Sequence, residues 1–104
     1  MQGNGLYRIE TYSRVKRDLK RLDKRLQEQI LEEHYPNIEA DPYRAYSLSH
    51  EFKGLWSYHI SYRRSNYRIV YEIYPQDRIV LVIMIGSREG FYKALRRRIK
   101  GARQ

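Results

Sequence analysis

The apolar residues of this chain change their period near its middle, and that change constrains the fold more than any other feature. Val15, Leu19, Leu22, Leu26 and Ile30 recur at spacings of three and four, whereas Trp56, Tyr58, Ile60 and Tyr62, then Tyr67, Ile69, Tyr71 and Ile73, recur at a spacing of two. The first spacing lines one stripe of a helix and the second lines one face of a strand. Neither element can bury its apolar side alone, so helices must be laid on a sheet, which makes this an α+β chain.

Turn and cap residues divide it further. Leu6 to Thr11 alternates as a first strand, after a flexible lead-in, residues 1–5, that carries Gly3 and Gly5. Ser13 is placed to cap a helix. The stripe from Val15 to Ile30 fits one long helix, or a helical hairpin broken at Asp23 (a good N-cap) with a second helix from Lys24 to Tyr35. Pro36 ends it in either case. Asn37 to Tyr46 reads as a loop with a turn at Asp41-Pro42, and Arg64-Ser65 centres a hairpin turn. Ile79 to Ile85 is apolar on both faces, as in a strand buried in the middle of a sheet, and Glu89 to Lys100 reads as a last helix. The expected order is β-α-α-β-β-β-α: a mostly antiparallel four-stranded sheet with an N-terminal helical hairpin and a C-terminal helix.

A length of 104 residues, 41% of them hydrophobic and 32% charged, leaves room for one domain, residues 1–104, with one small core. No apolar run nears the roughly 20 residues that span a bilayer. No charged-then-apolar leader opens the chain, and there is no cysteine for a disulfide or a thiolate metal site. A soluble cytoplasmic domain is the expectation.

Charge then points to a partner. Residues 1–52 hold nine Lys/Arg and nine Asp/Glu, while residues 53–104 hold twelve Lys/Arg against Glu72, Asp77 and Glu89, so the second half carries the whole net charge of +9. The strongest strand signals lie in that same half. The charge therefore sits on folded structure and suits a polyanion, above all nucleic acid. With Arg63 facing Asn66 across the turn, His59 faces Val70, Ser61 faces Arg68, and His59 and Arg68 become diagonal neighbours within reach of one phosphate. Arg88 lies just past the last strand at the start of the last helix, and Tyr92 lies one turn later on the same side.

These residues resemble the RelE/ParE toxin superfamily over almost the whole chain. The resemblance rests on Asp41-Pro42-Tyr43, on Phe52-Lys53-Gly54-Leu55-Trp56-Ser57, on Asn66-Tyr67-Arg68-Ile69-Val70-Tyr71, and on Ile85-Gly86-Ser87-Arg88-Glu89 with Phe91-Tyr92. It implies the RelE-like microbial ribonuclease fold and, in the ribonuclease branch, a toxin that enters the ribosomal A site and cleaves messenger RNA. There a 2′-hydroxyl attacks the adjacent phosphate without a metal or other cofactor. By position, Arg68 and Arg88 match arginines that hold the scissile phosphate, and Tyr92 matches a catalytic tyrosine, two residues closer to Arg88 than in the best-known member. His59 and Ser61 stand where that member has two lysines. The resemblance also implies a cognate antitoxin, acidic and partly disordered when free, and a second branch whose members bind and poison DNA gyrase instead.

The residue chemistry agrees with the ribonuclease branch. Such cleavage needs a base, an acid for the 5′-oxygen and cations for the phosphorane. His59 is the only histidine of the basic half and can serve as base or acid near neutral pH, with neighbouring arginines favouring its neutral form. Arg68 and Arg88 offer bidentate phosphate contacts that lysine lacks. Lys53, Ser61, Arg63, Arg64, Lys93, Arg96 and Arg97 are the expected RNA-binding residues around His59, Arg68, Arg88 and Tyr92. Plainer roles stand beside these: Arg68 can pair with Glu72, Arg96-Arg97-Arg98 can be a solvated helix face, and His34 and His50 have no partner at ligand spacing.

Overall fold

A computed structural model describes residues 6–102, so the expected flexible lead-in, residues 1–5, lies outside the described residues. Strand β1 (Arg8–Thr11) leads into helix α1 (Ser13–Lys20). Tyr12 takes the cap position without a side-chain bond and Ser13 is already helical, so the expected serine cap is not used. The break at Asp23 is real: its carboxylate accepts a hydrogen bond from the Arg25 amide at 3.0 Å and opens α2 (Lys24–Gln29).

Pro36 does not end the helical layer. Ile30–His34 forms a π-helical turn, and α3 (Tyr35–Ala40) continues from it with Pro36 in its first turn. The proline is accommodated because the wider π-helical turn, where the Tyr35 amide bonds the Ile30 carbonyl, makes room for the ring and absorbs the missing N–H. The hairpin is thus α1 against an α2–π–α3 run.

The sheet has five strands, not four, in the order β1-β5-β4-β3-β2. The additional strand, β2 (Tyr46–Ser47), lies inside the segment read as a loop and pairs antiparallel with β3 (Leu55–Tyr62) after a short 3₁₀ turn at His50–Phe52. Strands β3, β4 (Ser65–Tyr74) and β5 (Ile79–Ser87) form an antiparallel meander, and β1 joins β5 in parallel, which makes the sheet mixed. Strand β5 lies inside the sheet, between β1 and β4, as its apolar run requires.

The β3–β4 turn is centred on Arg63 and Arg64, both with positive φ (49° and 66°), as a two-residue type I′ hairpin demands. Arginine is an unusual residue for it, which is why the sequence points to Arg64-Ser65. The pairing therefore moves by two: His59 lies opposite Arg68 and Ser61 opposite Asn66, not opposite Val70 and Arg68. A shift of two keeps every side chain on its expected face.

Ile83 is an extra residue in β5. Val70 pairs with Met84 and Tyr71 with Val82, leaving a bulge between them. Before it, Val80 and Val82 face helices α1–α3; at and after it, Ile83 and Met84 face the other way.

The apolar interior is two layers, not one core. Leu26, Ile30 and Ile38 pack with Ile60, Ile69, Tyr71, Val80 and Val82 on one face of the sheet. On the other, Phe91 and Leu95 of α4 (Phe91–Ala102) pack on Leu55, Val70, Ile83 and Met84. The last helix starts at Phe91 and not at Glu89, because Gly90 takes a positive φ of 62° just before it. Since α4 spans only part of its face, the ends of β3 and β4 stay open beside it.

Beyond Thr11, where β1 stops, the free edge of β5 is closed by side chains. Arg98 donates to the Ile83 carbonyl (3.1 Å) and to Asp18, and Asp18 accepts the Ile85 amide (3.0 Å). An ion pair between α1 and α4 thus takes the hydrogen bonds of a missing strand. Arg98 belongs to this edge and not to a solvated helix face. No described helix is long and apolar enough to cross a membrane.

Candidate functional site

The site lies on the α4 face, on the half of β3 and β4 that α4 leaves open. Alternation along β3 puts Ser57, His59 and Ser61 on that face while Tyr58, Ile60 and Tyr62 point to the helices. Ser57 is fully buried, and its hydroxyl lies 3.1 Å from His59 Nε2. His59 is exposed and stacks on Tyr46 of β2, with ring centroids 4.5 Å apart and planes 28° apart. Its pKa is lowered from the ordinary histidine value, first by the partial burial of the ring and second by the Arg68 charge. The neutral form is favoured as the sequence suggests, but the arginine is the smaller cause.

Arg68 lies directly opposite His59 on one side and Gly86 on the other. Its guanidinium carbon sits 5.0 Å from the centroid of the Tyr92 ring, in the first turn of α4. Tyr92 in turn lies 5.6 Å from Phe52, over which Arg96 is placed at 5.9 Å, and Arg96 also pairs with Glu51. A row runs from Arg68 through the adjacent Tyr92 and Phe52 rings to Arg96, with a cation at each end. Each planar cation is thereby held by a π face, which orients Arg68 without neutralising it, while Glu51 offsets the charge of Arg96.

The structure brings together three of the four expected catalytic residues: His59, Arg68 and Tyr92. Arg88 is exposed past the end of β5, two residues beyond Gly86, with its amide donating to the Asn66 carbonyl at 2.9 Å. It lies before the last helix rather than in it, so no helical turn relates it to Tyr92. Ser61 donates to the Asn66 side chain (3.4 Å), which puts Ser61, Asn66 and Arg88 at one end of the sheet.

The expected RNA-binding residues divide. Lys53, Arg64, Lys93 and Arg97 are exposed, and Arg96 belongs to the ring–cation row. Arg63 is drawn to the opposite face, 3.7 Å from Asp23 and over the Tyr62 ring. Glu72 accepts from Tyr74 instead of pairing with Arg68. His34 is hydrogen-bonded within the fold and not simply solvated: its Nδ1 lies 2.9 Å from the Tyr58 hydroxyl, and burial lowers its pKa. Among the described residues, no group of three or more His, Asp or Glu side chains is placed to hold a metal ion.

Sequence reasoning missed Tyr46, Ser57 and Phe52 as neighbours of the site. Ser57 was legible, since it precedes His59 by two on a strand. Tyr46 sits in a two-residue strand that no periodicity can reveal.

With this geometry in hand, comparison with known proteins decides the family. The model of the ParE-like toxins of type II bacterial toxin–antitoxin systems matches residues 9–96. The chain belongs to that family. It is the toxin of a type II toxin–antitoxin system, with a RelE-like fold. Among solved structures it is similar to the toxin–antitoxin complex RelBE2 of Mycobacterium tuberculosis, at TM-score 0.71 and 23% identity, over 79% of this chain and 98% of that one. It is also similar to a mutant of the E. coli toxin RelE in its free state, at 0.65 and 23%, over 88% and 96%. The archaeal RelE–RelB complex from Pyrococcus horikoshii OT3 follows at 0.61 and 21%, over 81% and 97%. No curated protein matches.

Proposed function

We propose that this toxin is a metal-free endoribonuclease that cleaves messenger RNA in the ribosomal A site, in the cytoplasm, and so stops translation. The observation that carries the reading is the adjacency of His59, Arg68 and Tyr92 on one open face. In the tautomer where His59 Nε2–H donates to the buried Ser57 hydroxyl, Nδ1 is the free acceptor, and it takes the proton of the 2′-hydroxyl. The 2′-oxygen attacks the adjacent phosphorus. Arg68 offsets the charge that builds on the phosphorane oxygens, with Arg88 as the second cation from the end of β5. The Tyr92 phenol supplies a proton to the departing 5′-oxygen, leaving a 2′,3′-cyclic phosphate on the upstream fragment. Lys53, Ser61, Arg64, Lys93, Arg96 and Arg97 hold the surrounding RNA, and an acidic antitoxin segment that folds on binding covers the same charge when the toxin is silenced.

The test is cleavage of a defined messenger by purified toxin with translating ribosomes. The parent is expected to give a cyclic phosphate end, and Arg68→Ala to cleave about 10²–10³-fold more slowly. Intact messenger with the parent sinks the proposal. The match to a ParE-like family supports one other reading, a toxin that binds DNA gyrase without cutting RNA. Induction would then stop replication with DNA damage before translation fails, and Arg68→Ala would leave that order unchanged.

A further inference from the structure

Tyr46 has an unusual position for a large aromatic residue. It is 63% exposed, the most open of the large hydrophobic side chains among the described residues, yet it is not loose. Its backbone is fixed by pairing with Ser57, and one face of its ring lies against His59 at 4.5 Å and 28°. A ring that served only to buttress His59 would gain by being covered on its other face too. This one is held flat and left open against His59, which lies directly opposite Arg68 on the next strand. Flat aromatic faces among cations are how proteins hold unpaired nucleotides, with the phosphate on the cation and the base on the ring.

We infer that Tyr46 is a nucleobase-binding platform: a base of the single-stranded RNA, next to the phosphate held at Arg68, stacks on the phenol face turned away from His59. This rests on the ribonuclease reading and deepens it by naming the element that fixes the RNA next to the proton-transfer group. The stack runs base, Tyr46, His59. A base seated there sets the distance of its own ribose–phosphate linkage from the imidazole. Stacking uses the π face that every base has, so Tyr46 gives position without sequence choice.

The experiment needs no ribosome and no cleavage. A five-nucleotide unstructured oligoribonucleotide, with 2′-deoxy substitution at the scissile position, is titrated into the free toxin and followed by NMR. Tyr46→Ala is expected to raise Kd about tenfold, and Tyr46→Phe, which keeps the ring, to stay within about twofold of the parent. Replacing one nucleotide by an abasic one should weaken the parent by a similar factor and Tyr46→Ala hardly at all, since both changes remove one contact. His59→Ala should retain the abasic penalty, separating the platform from the imidazole. Unchanged affinity of Tyr46→Ala, or full additivity with the abasic change, overturns the inference. So does a Tyr46→Ala variant that binds RNA normally and fails only with its antitoxin. Stacking by this test without a cyclic phosphate product on ribosomes would keep the platform and remove the ribonuclease reading.

Discussion

The two faces of the sheet use the same residue type in opposite ways. On the helix-covered face, tyrosine hydroxyls are tied down: Tyr58 to His34 at 2.9 Å, Tyr62 to Asp23 at 2.9 Å and Tyr71 to the Pro42 carbonyl at 2.8 Å. On the α4 face, Tyr46 and Tyr92 are fixed through their rings, by His59 and by Arg68, and among the described residues neither hydroxyl has a protein hydrogen bond. One face satisfies its polar groups internally and gains stability. The other leaves them open at the surface. The difference separates fold from function within a sheet whose two faces are only one residue out of step.

The sharpest way to break the comparison is at the edge that both layers share. Asp18 is 7% exposed and holds Arg98 as well as the Ile85 amide. Removing it leaves a partly buried cation and an orphaned amide, so Asp18→Ala should cost about 3–5 kcal/mol in denaturant unfolding. Cleavage by the fraction that remains folded should be unchanged. Next in size is the contrast between two tyrosines. Tyr71→Phe strands a buried carbonyl and should cost about 1–3 kcal/mol, while Tyr92→Phe should leave stability within about 0.5 kcal/mol and slow cleavage.

The smallest effect concerns pH. The native pKa of His59 lies below its unfolded value of about 6.5, so the folded state is the poorer proton acceptor. Its contribution to stability is complete above that pH and is lost as acid titrates through 6.5 toward the native value. An NMR titration of the His59 ring should give a midpoint under 6.5. Arg68→Ala should recover only the lesser part of the shift, because burial is its larger cause.

Much of this was legible in the chain. The helical stripe from Val15 to Ile30 packs as its spacing requires, Asp23 caps α2, and the alternation of β3 and β4 assigns both faces correctly. What stayed hidden depends on contacts far along the chain. The β3–β4 offset follows from two arginines with positive φ, a geometry that side chains alone do not announce. Strand β2 exists because β3 offers it an edge, and β1 joins β5 across 67 intervening residues, from Thr11 to Ile79. The roles of Asp18 and Arg98 could have been read: Asp18 falls three after Val15, and Arg98 three after Leu95, each on a buried stripe. Charge hides both roles, because it ordinarily marks a residue for solvent.

The extra residue at Ile83 has a further consequence. Because Ile83 and Met84 turn the same way, the alternation of β5 skips one beat there, and Gly86 shares a face with Arg68 because Ile83 is bulged and not counted in the pleat. The upstream half of β5 can answer to the helical layer and the downstream half to the site. Deleting Ile83 would remove the bulge and leave Met84 on the α4 face and Ile85 on the helices, whereas a straight strand that kept Ile83 would turn Met84 to the helices and Ile85 to the α4 face. The bulge is a timing element: it sets the beat on which a stable interior becomes a working surface.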